Sequence, residues 1–249
     1  MKKENEENFN IEKEQNKNEF PEYKYEFLPE NSNYDIIFKI MLIGDASVGK
    51  SSILYKMLNK EQKEKPTIGF DLLNLNIKVD EKICKIEIWD TCGQENYRSL
   101  MTKFYQNASL MILVYSINNR ISFEELNYWR DQIKKFCKED IKIILVGNKK
   151  DLEKERVVQF SEGKEYCENN NFQYFVETSF QDLESIKKIF IKSAFLLYEE
   201  FSKANDDSIR LSLGRIDLED KKDNVSENGI KSNDNNDEIQ NENNKKKCC

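Results

Sequence analysis

The sequence predicts an α/β fold in which strands of a mostly parallel sheet alternate with helices. Residues Ile36–Ile43, 110–117 and 141–146 are nearly continuous apolar runs, as expected of strands buried on both faces. Segments with helical periodicity separate them. The first run passes directly into Gly44-x-x-x-x-Gly49-Lys50-Ser51, and the following SSILYKMLNK reads as a helix, giving strand, glycine-containing loop and helix in sequence.

That loop is suited to phosphate. Its glycines let the chain curl so that backbone N–H groups of Ala46, Ser47, Val48, Gly49, Lys50, Ser51 and Ser52 can point at phosphate oxygens. Lys50 can reach the β- and γ-phosphates, and the Ser51 hydroxyl can ligate Mg²⁺. The helix dipole favours an anion at the same place. The motif by itself specifies a nucleoside triphosphate and leaves the base open.

Composition bounds the rest. The chain has 249 residues, of which 34% are charged and 38% hydrophobic. The apolar residues concentrate in 34–201, which predicts one domain there, flanked by polar segments 1–33 and 202–249 expected to be disordered. A net charge of −7 argues against a general nucleic-acid binder. There is no apolar run long enough to span a membrane, and the acidic N-terminus predicts no secretory leader. The six cysteines form no C-x-x-C pair, which points to reduced thiols in the cytosol rather than a disulfide framework or zinc site. With no histidine, histidine-dependent triads and metal sites are excluded.

Before the domain, residues 20–30 (FPEYKYEFLPE) are unusually aromatic. A solvated lead-in is expected there rather than docking onto the domain or a partner. After the first helix, NKEQKEKPTIGFD is charged and broken by Pro66, hence an exposed loop. Thr67 in this loop could face a γ-phosphate and its metal ion. Leu73, Leu75, Ile77 and Val79 then alternate with polar residues, Asp80-Glu81-Lys82 turns the chain, and Cys84, Ile86 and Ile88 alternate in a second strand, predicting a hairpin.

The second strand ends in Trp89-Asp90-Thr91-Cys92-Gly93-Gln94. A carboxylate at Asp90 is placed for water-mediated contact with Mg²⁺. Gly93 lets its N–H approach a γ-phosphate closely. The amide of Gln94 has the donor and acceptor needed to orient an attacking water. Cys92 reads as a small buried residue.

Further along, Ser122-x-x-Glu125 predicts a capping box opening a helix to about Cys137. The strand at 141–146 leads into Gly147-Asn148-Lys149-Lys150-Asp151. A carboxylate at Asp151 can accept hydrogen bonds from the N1–H and exocyclic amine of guanine, whereas adenine presents an acceptor at N1 and would leave a charge unpaired. The Lys149 stem can cover the face of the base. A helix near 161–170, a strand at 172–176, Glu177-Thr178-Ser179 and a final amphipathic helix to about Phe201 complete the alternation.

GDASVGKSS, PTIGFD, WDTCGQE, NKKD and ETS stand in the order and approximate spacing of the Ras superfamily of small GTPases. KIEIWDTCGQENYRSL and FYQNASLMILVYSI resemble the Rab branch, as does the terminal Cys248-Cys249. The resemblance covers roughly 34–201 and the last two residues. It implies a P-loop NTPase fold, a single domain with a six-stranded, mostly parallel sheet and helices on both faces, binding GTP or GDP at the strands' C-terminal edge. It also implies slow GTP hydrolysis, with Lys50 and Mg²⁺ stabilising developing charge and Gln94 orienting water. Ser51 and Thr67 would ligate the metal directly and Asp90 indirectly. Asn148, Lys149, Asp151, Ser179 and the Phe180 backbone would hold the base.

As partners, the resemblance implies effectors, activating proteins and exchange factors, engaging 67–72, Trp89 and 94–104. The family's aromatic cluster maps to Leu72, Trp89 and Phe104. Prenyltransferase, GDP-dissociation inhibitor and a membrane would meet the tail, with Cys248 and Cys249 prenylated and the protein shared between cytosol and the cytoplasmic face of an intracellular membrane. The sequence departs from the family in three places. The first switch is shorter, its aromatic over guanine is missing with Lys60 nearest its place, and the final guanine motif reads Ser179-Phe180-Gln181. The first two predict fast GDP release unless Tyr55 or Phe70 covers the base. The alternative class is a GTP-bound scaffold that hardly hydrolyses.

Overall fold

The computed structural model describes residues 23–61, 67, 69–91 and 104–204. Its strands are β1 Tyr25–Leu28, β2 Ile36–Ile43, β3 Phe70–Val79, β4 Lys82–Thr91, β5 Leu110–Ser116, β6 Lys142–Asn148 and β7 Tyr174–Glu177. The described helices are α1 Lys50–Met57, α2 Arg120–Glu124, α3 Leu126–Phe136, α4 Phe160–Asn169 and α5 Leu183–Lys203, with a 3-10 segment at Lys150–Glu155. One sheet takes the order β1-β3-β4-β2-β5-β6-β7. The ladders from β4 to β7 are parallel, while β1–β3 and β3–β4 are antiparallel.

The patterns of burial follow the patterns of sequence. Every residue of β5 is buried, as a continuous apolar run requires when helices cover both faces. On one face Phe38, Ile40, Ile77, Ile86 and Ile112 pack with Leu54 of α1 and Ile189, Phe190 and Leu197 of α5. On the other, Met41, Met111, Leu113 and Leu145 pack with Leu126, Trp129 and Ile133 of α3 and Cys167 of α4. Each fully buried large aliphatic contributes about 1.5–3 kcal/mol, against about 0–1 kcal/mol for an exposed ion pair. Stability therefore rests on these two clusters. Among the described residues, no helix is long and apolar enough to cross a membrane.

The strands expected from the sequence are all present, and β1 is additional. It lies before the domain boundary expected at residue 34 and corrects the expected solvated lead-in. Tyr25 pairs with Val79 and Leu28 with Asn76 along the β3 edge. Asp80 accepts from the Lys24 N–H through Oδ1 (3.2 Å) and donates its own N–H to the Lys24 carbonyl (2.9 Å). Buried Asn76 donates Nδ2 to the carbonyls of Pro29, Glu30 and Ser32 at 2.9, 3.1 and 3.4 Å. Tyr23 packs on Phe195 and Tyr198 of α5, with ring centroids 5.3 and 5.7 Å away. Aromatics and ladder bonds together outweigh the segment's polarity.

A second correction concerns the helix expected to open at Ser122. Asn119 is the cap: its Oδ1 accepts from the Ser122 N–H at 3.2 Å, while Ser122 Oγ donates to the Asn119 carbonyl at 2.7 Å. The helix starts earlier and is divided at Glu125 into α2 and α3.

The five parallel strands share one direction, so their carboxyl ends form one edge. Gly44, Asp90, Asn148 and Ser179 all lie there, where open α/β sheets bind ligands.

Candidate functional site

Gly44 and Gly49 shape the turn between β2 and α1, and neither position admits a side chain. Gly44 has φ 139° and a Cβ there would lie 2.1 Å from the Val114 carbonyl oxygen; Gly49 has φ 98° and a Cβ would lie 2.3 Å from Asn148 Nδ2. Ala46 and Ser47 are exposed at the loop's crest, Ser47 with φ 61°, and Val48 is buried beneath. Lys50, 5% exposed, folds back over the loop and donates Nζ to the Gly44 carbonyl (2.8 Å) and the Asp45 carbonyl (2.7 Å). Its ammonium thus sits at the loop that the sequence assigns to phosphate. Ser52 is half-buried in the first turn of α1. Trp129 Nε1 donates to Asp45 Oδ1 at 2.9 Å and fixes the loop from α3.

Three oxygens converge beside Lys50. Ser51 Oγ lies 2.9 Å from Thr67 Oγ1 and donates to Asp90 Oδ2, to which Thr67 Oγ1 also donates at 3.3 Å. Asp90 is fully buried at the end of β4, and its Oδ1 has no hydrogen-bond partner among the described residues. Burial pushes its carboxyl above the ordinary carboxylate range, opposed by the Ser51 hydrogen bond and the charge of Lys50. Two hydroxyls and an under-satisfied buried carboxylate are the donors a hard divalent cation takes, so this trio fits Mg²⁺.

At the far end of the edge, Asn148 joins three segments. Its Nδ2 donates to the Val48 carbonyl (2.9 Å) and its Oδ1 accepts from Thr178 Oγ1 (3.1 Å). Lys149 adopts φ 67° and the Lys150 N–H donates to the Thr178 carbonyl at 2.9 Å. Asp151 is exposed, with Oδ1 accepting from Ser179 Oγ at 2.8 Å. The loop before α5 is fixed by Ser179 Oγ, which accepts from the Gln181 N–H at 3.0 Å. Phe180 projects outward, 43% exposed, with Lys56 Nζ 4.9 Å from its ring centroid. Behind this wall Arg156 grips Glu177 with two bonds of 2.7 Å and also pairs with Glu153. The Glu177 hydrogen bond raises the Arg156 guanidinium above its already high ordinary value.

The phosphate-loop residues, Thr67, Asp90, Asn148, Lys149, Asp151, Ser179 and Phe180 therefore stand along one edge. Gly93 and Gln94 lie outside the described residues, as do Cys92, Cys248 and Cys249. Sequence reasoning missed Arg156, Lys56 and the Trp129 contact to Asp45. Only Trp129 carried a signal, its spacing from Leu126 and Ile133 on the inward face of α3.

The cluster around Trp89 and Phe104 includes a further ring, Phe70. Phe70 stacks on Trp89 at 4.8 Å and meets Phe104 at 4.6 Å, with Trp89 and Phe104 at 5.4 Å. Leu72, the residue expected there, is 46% exposed. Phe70 and Leu72 share a face of β3, and Leu72 stands directly opposite Trp89 in the β3–β4 ladder. Tyr55 is buried and donates its hydroxyl to Asp71 Oδ2 at 3.0 Å. Both aromatics that could have covered the base are therefore engaged elsewhere.

A family model described as Ras family matches residues 39–199. The Arabidopsis thaliana Ras-related protein RABA1g is 36% identical over 203 residues, covering 79% of this chain and 93% of that protein. Ras-related protein Rab-2B of Dictyostelium discoideum is 38% identical over 165 residues, 66% of this chain and 81% of its own length. Human Ras-related protein Rab-3A is 36% identical over 178 residues, 71% and 80% of the two chains.

Proposed function

This chain belongs to the Ras family, in its Rab branch, and from that premise we propose that it is a GTP/GDP-cycling switch acting in intracellular membrane traffic. The observation that carries the reading is the convergence of Ser51, Thr67 and Asp90 from α1, the first switch loop and β4 beside the buried Lys50 ammonium.

The chain's own residues divide the work. Asp151 reads guanine by accepting from its N1–H and amine, with the Lys149 stem along the base and Ser179 and the Phe180 backbone at the carbonyl edge. Lys50 exchanges its two carbonyl acceptors for the β- and γ-phosphate oxygens. Ser51 and Thr67 would hold Mg²⁺, with Asp90 supporting it through water. When bound, the cation would supply charge neutralisation on the transferring phosphoryl group. Gln94 orients a water in line with the γ-phosphorus. As the water oxygen bonds to phosphorus, the bond to the β–γ bridging oxygen breaks, GDP departs and the water's proton ends on inorganic phosphate. With the γ-phosphate gone, Thr67 and Gly93 lose their contacts and the switch loops relax, so partners that bind the ordered loops read the nucleotide state.

The tail is assigned to anchoring. Prenylation of Cys248 and Cys249 supplies the two signals that stable membrane attachment takes, placing the GTP form on a cytoplasmic membrane face and leaving a cytosolic pool for a dissociation inhibitor. The shortened first switch favours one competing reading, a GTP-loaded scaffold. Single-turnover hydrolysis by purified protein in Mg²⁺ separates them: phosphate release from bound GTP supports the switch, and GTP retained intact, with and without an activating protein, supports the scaffold.

A further inference from the structure

We propose that Phe180 and Lys56 form a clasp that holds the guanine loop against the first helix and slows nucleotide release. The inference rests on the guanine-nucleotide reading above.

The loop after β7 is tied on both sides, to the 147–151 segment and to the start of α5, where the Ser179 N–H donates to Ser185 Oγ at 3.4 Å. Thr178 is bonded to Asn148 and, through backbone groups, to Gly147 and Lys150; Ser179 is bonded to Asp151. All of these lead to the 147–151 segment. On the C-terminal side, Asp182 starts α5, accepting the Ser185 N–H through Oδ1 at 3.1 Å, and its own N–H returns to the Ser179 carbonyl at 3.0 Å. These bonds define a tight turn that directs Phe180 outward.

The Phe180 ring is 43% exposed and belongs to neither core cluster. It meets Lys56 Nζ, 4.9 Å from the ring centroid and within the range of an attractive cation–π contact. Lys56 stands in the last turn of α1, whose first turn carries Lys50 and Ser51, and α1 leads into the first switch. The clasp joins the base-reading loop to the phosphate-binding helix. Phe180 is a positioning residue in this respect: its ring holds its own backbone N–H at the carbonyl edge of the base. Lacking the family's first-switch aromatic, the chain places an aromatic in the guanine loop instead.

The test is release of fluorescent GDP at millimolar Mg²⁺ from the full chain. Phe180→Ala and Lys56→Met each speed release about two- to five-fold, the range of an exposed cation–π contact. Because both remove one contact, the double variant is no faster than the faster single. Phe180→Tyr and Lys56→Arg, which keep ring and cation, release at the unaltered rate, a rescue that simple loss of side-chain bulk does not explain. Unaltered release from Phe180→Ala, or multiplying effects in the double variant, overturns the clasp while leaving guanine binding intact. Failure of the unaltered protein to retain GDP overturns the clasp together with the guanine reading.

Discussion

Asn148 donates its side-chain amide to the Val48 carbonyl at 2.9 Å, joining residues 100 positions apart. The same side chain accepts from Thr178 Oγ1, so one buried amide ties the phosphate loop, the end of β6 and the final guanine loop together. Asn148→Ala strands the buried Val48 carbonyl and Thr178 hydroxyl, at about 1–3 kcal/mol for an unsatisfied polar group. GDP affinity falls about 5- to 150-fold, measured by competitive titration. A change below twofold would show that the base and phosphate segments hold their places without Asn148.

Gln94→Leu keeps the phosphate and base contacts and removes the amide assigned to the attacking water. GTP binding is retained and single-turnover hydrolysis slows on the order of tenfold or more. Ser51→Asn, by contrast, weakens Mg²⁺ binding and shifts the protein to its GDP or empty form. Hydrolysis by Gln94→Leu at the unaltered rate, with and without an activating protein, removes Gln94 from the mechanism.

Arg156 and Glu177 form a bidentate pair whose side chains are 9% and 2% exposed. Arg156→Ala leaves Glu177 charged and uncompensated behind the guanine loop, a loss of about 3–5 kcal/mol. The urea midpoint should drop accordingly, and Arg156→Lys should recover only part, since an ammonium cannot reproduce the two parallel bonds. An unchanged midpoint for the alanine variant would mean water reaches Glu177.

Three cysteines give a pH signature. Burial pushes the thiols of Cys84 and Cys137 up to about 12 and that of Cys167 to about 11, from an ordinary value of 9.0. Raised folded values mean that their contribution to stability is complete below pH 9 and is lost as pH rises toward 11 and 12. At pH 8 these thiols react slowly with an aromatic disulfide until the protein is unfolded. Immediate reaction of all six would contradict the burial of Cys84 and Cys167 and the partial burial of Cys137.

Much of this fold was legible because its signals are local. Continuous apolar runs announced β2, β5 and β6, alternation announced β3 and β4, and glycine spacing announced the phosphate loop. β1 was not legible: four residues in a charged stretch pair with β3 through backbone atoms that leave no mark in sequence. Which residue caps α2 was equally hidden, since Asn119 and Ser122 are both good caps and only the packed chain selects Asn119. Phe70 and Leu72 lie on the same face of β3, so alternation alone does not say that the Phe70 ring stacks on Trp89. Arg156 finds Glu177 across 21 positions, a pairing that no periodicity encodes.

Direct titration of the purified protein with GDP and ADP tests the guanine-nucleotide reading most directly. Asp151 predicts a preference for GDP of several orders of magnitude, because adenine leaves the carboxylate facing an acceptor. In Asp151→Asn, affinity for GDP should fall while affinity for xanthosine diphosphate rises. Equal affinity for GDP and ADP in the unaltered protein would contradict the account at its foundation.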